Sequence, residues 1–388
     1  MNIRMFYHSL VSDWNHGNAH FLRGIVTELM ARGHDVIVYE PRDGWSVTNL
    51  IQEHGHEPLQ KFQEIFPHLK FVCYDARTLD VEQAVAGADL VLVHEWNDHD
   101  LVAQIGECRM RRKFVLLFHD THHRMVTNRA RMKSYDLSRY DGVLAYGKIL
   151  RDLYLAEGVT SRAWTWHEAA DTRTFRPLNG VPRRGDVVWI GNWADGERTE
   201  ELQEFLIEPV KALGLKARVY GVRYPETARA ALAAAGIEYA GWLPNYQVPR
   251  AFSEFKLTLH IPRRPYVEAL PGIPTIRPLE ALACGMPLIC SPWNDAEGLF
   301  NAGNDFLFAR DGNEMKGQLA ALLANDERRR ALGEKGLATI HARHTCRHRV
   351  DELLKIYGKI QTGRNPIGPR SAEYTFTSQQ IYPEGSWL

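Results

Sequence analysis

The chain has no apolar run approaching the ~18 residues that would suggest a membrane span. Its opening stretch, MNIRMFYHSLVSDWN, lacks the long apolar core of a signal peptide. Cysteine is sparse: Cys73, Cys108, Cys284, Cys290 and Cys346 are scattered, and none forms a CxxC pair. An odd, unclustered set points to reduced thiols in the cytoplasm, with Cys284 and Cys290 read as small buried apolar residues. Excess charge of either sign is missing too, because 47 Lys and Arg balance 47 Asp and Glu. No global field therefore recruits nucleic acid or an anionic membrane, while a local basic groove and peripheral membrane contact stay open. There is no short tandem repeat, no HExxH, and no distant Asp/His set of a metal site.

What is present is a rhythm. Apolar strands such as IRMFYHS, HDVIVYE, DLVLVHE and KFVLLFHD alternate with helical stretches such as HFLRGIVTELMARG, the signature of a doubly wound parallel sheet. The rhythm pauses in TWHEAADTRTFRPLNGVPRRG and resumes with DVVWIGN, KARVYG, KLTLHI and PLICS. At 388 residues, with 45% hydrophobic and 24% charged, the chain reads as two domains of ordinary size. The boundaries expected are 1–170 and 171–345, with 346–388 packing back on the first domain and the tail from Gly363 running as an extended strap. Ligands of such sheets bind outside the carboxyl ends of the strands.

The segment GIPTIRPLEALACGMPLICSPW, residues 272–293, carries the most chemistry. Pro278 suits the start of a helix, Gly285 its left-handed end, and Pro287 forbids continuation. The preceding loop, GIPTIR, is free of acids, so the positive helix end is an anion site in waiting, with Glu280 in the first turn beside it.

Together with VVWIGNW, ERTEEL, YAGWLPNYQVPRAFSEFKLTLHI and AADTRTFRP, this segment resembles the donor-binding half of GT-B glycosyltransferases of the group 1, family 4 type, closest to the spore-maturation-protein-like (CgeB-like) branch. In the first half, GHDVIVYE, VLVHEWND and VLLFHDTH resemble that family's strand ends. The resemblance implies two Rossmann-like α/β domains facing a cleft, and a bacterial-type enzyme that moves a sugar from a UDP- or GDP-linked donor to a hydroxyl of a glycan, lipid, protein or small molecule. The nucleotide sugar is a co-substrate, and no bound cofactor or metal is implied. Nucleic acid is not expected as a partner.

Residue by residue, the resemblance places Glu280 on the ribose, and Thr275 with the amides from Ile273 to Arg277 on the diphosphate. Gly191 and Asn192 form a tight strand-to-helix turn where backbone can approach a phosphate. Arg198 would bridge phosphate oxygens, with Arg263 as a further cation at a strand end. Trp242 and Leu243 would seat the base, and Gly17 would face the diphosphate across the cleft. His119 would meet the donor sugar, with Asp120 beside it, and Glu95 would orient an acceptor hydroxyl or act as a base. The family's usual second acid falls in register on Gly272, so sugar identity and stereochemical course stay open. A rival reading takes His119, Asp120, His122 and His123 as metal ligands of a hydrolase. A third is a nucleotide-sugar epimerase or binder on the same fold.

Overall fold

The structure, a computed structural model, describes residues 1–194 and 196–363; the expected strap beyond Gly363 lies outside them. Seven strands form the first sheet: β1 (Asn2–Phe6), β2 (Asp35–Pro41), β3 (Phe71–Tyr74), β4 (Leu90–His94), β5 (Val115–Asp120), β6 (Gly142–Ala145) and β7 (Ala163–Thr165). Six form the second: β8 (Gly185–Ile190), β9 (Ala217–Tyr220), β10 (Glu238–Tyr239), β11 (Phe255–His260), β12 (Leu288–Cys290) and β13 (Leu307–Phe308). Every residue of β4 and β5 is buried, as befits parallel strands covered by helices on both faces. The sheet orders are β3-β2-β1-β4-β5-β6-β7 and β10-β9-β8-β11-β12-β13. Both sheets therefore reverse direction beside their own first strand, between β1 and β4 and between β8 and β11. A crevice at the carboxyl ends is built into each half at that switch point.

The two crevices face each other, and side chains clasp them shut. Asp13, in the loop after β1, is bound to Arg23 at 2.9 Å and accepts from the Asn245 amide at 3.0 Å and the Trp242 indole at 3.2 Å in the second domain. Glu297 accepts from the Lys148 amide at 2.6 Å and meets the His167 ring at 2.9 Å. The last helix, Cys346–Gln361, returns to the first domain, where Arg32 bonds Asp351 at 2.6 Å and the Trp166 indole donates to the Arg349 carbonyl at 2.8 Å.

Within 272–293 the helix starts at Ile276, two residues before Pro278, so Arg277 is helical although it precedes a proline. Pro278 is the third helical residue, still among the first four whose N–H groups have no partner inside the helix, so its missing donor costs little there. Glu280 consequently falls beyond the first turn, which holds no acid. Gly285 takes the left-handed conformation at φ +65°, and Leu288–Cys290 follows as β12.

Candidate active site

A cavity of about 490 Å³ lies between the two switch points. The first domain lines it with His8 and the Asn15–Asn18 loop after β1, Trp96 after β4, Thr121–Arg124 after β5, Tyr146 after β6, and Glu168 on the link between domains. The second contributes Gly191, Asn192 and Arg198 after β8, Pro262 and Arg263 after β11, and Thr275–Arg277. Gly17 is a contact point of the two halves: a Cβ there would stand 2.6 Å from Ile276 Cγ2. Any larger residue would hold the domains apart. Thr275 sits at φ +59°, ψ 177°, a conformation that costs a non-glycine residue about 1–3 kcal/mol and is concentrated at functional sites. No side chain caps the amides that follow it, so the end of the Ile276–Ala283 helix meets the cavity with its donors available.

Charge in the cavity is mostly arginine. Arg124, Arg198, Arg223, Arg263 and Arg277 line it among the described residues, against Glu168 and Glu197. Arg198 spends its donors on carbonyls: Nη1 bonds Ile261 O at 2.8 Å and Nε bonds Asn192 O at 3.1 Å. Its guanidinium lies 5.0 Å from the centre of the Trp189 ring. Burial, and after it the charge of Arg263, pushes Arg198 down to about 9. Its bonds run to carbonyl oxygens, which hold the guanidinium without neutralising it. An anion would do so.

The histidines contribute polarity without charge. Burial drives His16 and His123 down to about 3, and holds His8 and His122 well below the imidazole range. They stay neutral near pH 7, each ring offering one donor and one acceptor. Several have unpartnered buried nitrogens, among them both of His8, Nδ1 of His122 and Nε2 of His123. Glu168 Oε1 is in the same state. Such groups cost free energy when left dry and unpaired, so the lining is suited to a ligand rich in hydroxyls.

The structure brings Gly17, Gly191, Asn192, Arg198, Arg263, Thr275 and Arg277 together around this cavity. Others lie elsewhere. Glu280 is wholly buried: His20 takes one oxygen at 3.0 Å and Arg277 takes the other. His20 Nε2 accepts the Asp171 amide at 2.8 Å, so in a neutral ring Nδ1 carries the proton and donates to Glu280. Gly272, at φ +92°, and buried Ile273 pack against Glu297 and Gly147 in the domain interface. Trp242 bonds Asp13 and clusters with Trp14, Leu50 and Val222, while Leu243 packs on the core. Neither residue lines the cavity.

The expected orientation of His119 needs correction. Its ring is 1% exposed and faces Tyr7, whose hydroxyl meets Nδ1 at 2.8 Å, with Trp166 at 4.8 Å between centroids. The strand end at which it stands, where it would have met the donor sugar, is covered by Tyr7 at the start of the loop after β1. Asp120 is buried too, accepting from the Tyr154 hydroxyl at 2.9 Å and the His122 amide at 2.9 Å. Glu95, fully buried, holds Arg124 at 2.8 Å and so orients a cavity arginine without reaching the cavity itself. His119→Phe keeps the ring's shape and removes the Tyr7 bond. It should cost about 0.5–1.5 kcal/mol of stability and leave UDP affinity within about twofold. Denaturant melts and calorimetry test this, and an unchanged midpoint would mean that the Tyr7 bond contributes nothing.

The rival metal cluster does not assemble. Asp120 is occupied as described, the His119 ring points to Tyr7, and no group of three or more His, Cys, Asp or Glu among the described residues is placed to hold an ion. Residues that sequence reading did not single out are Glu168, Tyr146, His16 and Arg124. A strand-end position could have flagged Tyr146, whereas nothing in the spacing of TWHEAAD marks its glutamate.

Two family models match the chain side by side. "Glycosyltransferase Family 4" covers residues 17–174, and "Glycosyl transferase-like" covers 198–355. No curated protein sequence matches significantly. Among solved structures, the fold is similar to sucrose-phosphate synthase from Thermosynechococcus elongatus (TM-score 0.67, 15% identity, 94% of this chain and 100% of that one). It is similar to HepE from Anabaena in complex with UDP and glucose (TM-score 0.67, 14% identity, 92% and 100%). An alpha-glucosyltransferase in complex with UDP and a 13-mer DNA is also alike (TM-score 0.67, 11% identity, 92% and 99%). At such identities these likenesses are of fold. Together, the two matched halves and the paired Rossmann-like sheets make this chain a glycosyltransferase of the GT-B type.

Proposed function

We propose that the protein moves a sugar from a UDP- or GDP-linked donor to a hydroxyl of a glycan, lipid, protein or small-molecule acceptor, without a bound cofactor. The observation that carries this is the make-up of the cavity lining: arginines and an uncapped helix end suit a diphosphate, and neutral polar groups suit hydroxyls. Negative charge grows on the departing diphosphate in the transition state, where Arg198, Arg263, Arg277 and the 275–277 amides would stabilise it. In this reading residues 171–345 hold the donor and residues 1–170 receive the acceptor. Glu280, enclosed by His20 and Arg277, would hold Arg277 in place for the phosphates. The likeness of segment 272–293 supports the spore-maturation-protein-like branch in this reading, and the scattered thiols support the cytoplasm. UDP bound to proteins of similar fold supports a uridine donor.

Thermal-shift measurements against UDP, GDP and their sugars are the test. A ligand at a hundred times its Kd should stabilise the protein by about 2.7 kcal/mol. Because guanidinium groups supply the countercharge, turnover of the stabilising donor should survive EDTA. No shift with any nucleotide, combined with a shift by zinc or manganese, would return the hydrolase reading.

A further inference from the structure

Glu168 is the one carboxyl that reaches the cavity from the link between the domains. It follows β7 by three residues and precedes Ala170, which bridges to Thr345 where the chain passes into the second domain. It is 4% exposed, Oε1 is buried without a hydrogen-bond partner, and among the described residues no cation is bonded to it. Tyr146, beside it in the lining, is 2% exposed, with the Tyr266 hydroxyl close to its own. Burial, and after it the neighbouring Glu280, raises the Glu168 carboxyl to about 8, so at neutral pH it is largely a protonated acid. A neutral carboxyl has one donor and spare acceptors, which is the complement of a hydroxyl and a poor partner for a phosphate. The arginines answer to charge, and these two groups answer to its absence.

We propose that Glu168 is a specificity-determining residue for the donor sugar: its carboxyl, together with the Tyr146 hydroxyl, hydrogen-bonds hydroxyls of the hexose carried on the diphosphate. The proposal rests on reading the cavity as a nucleotide-sugar site. Arg277, Tyr146 and Tyr266 all lie close enough to Glu168 for their charges to act on one another. Glu168 is thus near an arginine that the nucleotide-sugar reading gives to the diphosphate, and near two tyrosines, within reach of a sugar joined to that diphosphate. Because it sits on the interdomain link, it meets the sugar only when the domains are shut, so its contact reports closure as well as identity. A sugar lacking the matched hydroxyl leaves a buried carboxyl unpaired, and that penalty is the source of discrimination.

The test compares each intact donor with its bare diphosphate on the full chain: UDP-glucose, UDP-galactose and UDP-N-acetylglucosamine against UDP, and GDP-mannose against GDP. For the donor that the wild type prefers, Glu168→Ala should lower affinity about tenfold or more and leave the bare diphosphate within about twofold. Glu168→Gln, a neutral donor and acceptor of the same size, should restore the donor to within about threefold of wild type. Tyr146→Phe should reduce donor affinity selectively as well. Equal losses for donor and diphosphate in Glu168→Gln, or no loss of donor affinity in Glu168→Ala, would overturn the assignment while the wild type still binds nucleotide. A wild type that binds none of these ligands would overturn the reading of the cavity first, and this proposal with it.

Discussion

Arg198→Ala is expected to weaken binding of the nucleotide diphosphate on the order of 10- to 100-fold, with the fold unchanged. Its guanidinium is anchored by two carbonyls, Asn192 O and Ile261 O, and by the Trp189 face, so its position is set before any ligand arrives. Carbonyl dipoles hold the group without neutralising it. Burial, and next the charge of Arg263, lowers its pKa, and an anion beside it would act the other way. A diphosphate oxygen would supply that anion through charge-assisted hydrogen bonds, worth about 1.5–3 kcal/mol. Removing the cation forfeits this term, yet relieves repulsion in the empty protein, so the ligand-free midpoint of unfolding should hardly fall. Arg198→Lys should lie between, since a point charge cannot bridge two oxygens. Calorimetry with UDP and GDP measures the loss. An affinity unchanged in Arg198→Ala would move the diphosphate to Arg263 and Arg277 and remove Arg198 from the site.

Asp13→Ala should be the more damaging change to the fold, costing about 3–5 kcal/mol. Both partners of the Asp13–Arg23 pair are 4% exposed at the side chain, and Arg23 is further enclosed by Phe62 and Phe66 at 5.0 and 5.1 Å. Deleting the carboxylate leaves a buried guanidinium with only the Leu10 and Val11 carbonyls. The same carboxylate also accepts the Trp242 indole and the Asn245 amide from the other domain. Asp13→Ala therefore cuts a clasp as well as an ion pair. Asp13→Asn keeps an acceptor for the second domain but loses the charge, so it should separate the two contributions. Urea melts give the stability, and scattering of the ligand-free protein gives the domain separation. A variant as stable and as compact as wild type would show that the pair and the clasp contribute neither.

Much of the proposed donor half was legible in local pattern because the features expected to hold a diphosphate are local. A strand followed by Gly191, a cation seven residues later at Arg198, and a helix introduced by an acid-free loop each announce themselves within one element. Their convergence follows from the switch-point rule, since β8 and β11 must end beside each other. The start of the Ile276 helix was misread by two residues because the preference of a pre-proline residue for extended backbone is weak against the pull of packing. That small shift moved Glu280 out of the first turn.

The histidine readings show where local pattern stops. His119 is the penultimate residue of β5 and His122 lies two residues beyond its end, and strand alternation says neither which side opens on the cavity nor where a residue past the strand points. The loop after β1, folded over that end, decided it by covering His119 with Tyr7 and leaving His122 in the lining. Glu280 was taken by His20, 260 residues away in sequence, through a contact that exists only because the domains are shut. What the amino-acid sequence determined by itself was the alternation of strands and helices, two parallel sheets, the neutral overall charge and the acid-free loop that introduces one helix. Each of these follows from periodicity, capping or composition within a short window. What only the tertiary structure decided was which polar groups share one cavity, which are withdrawn into the clasp, and that Glu168 stands bare between the two domains. Those outcomes depend on surfaces that meet across the cleft, where burial sets the charge of each group and no spacing along the chain records the meeting.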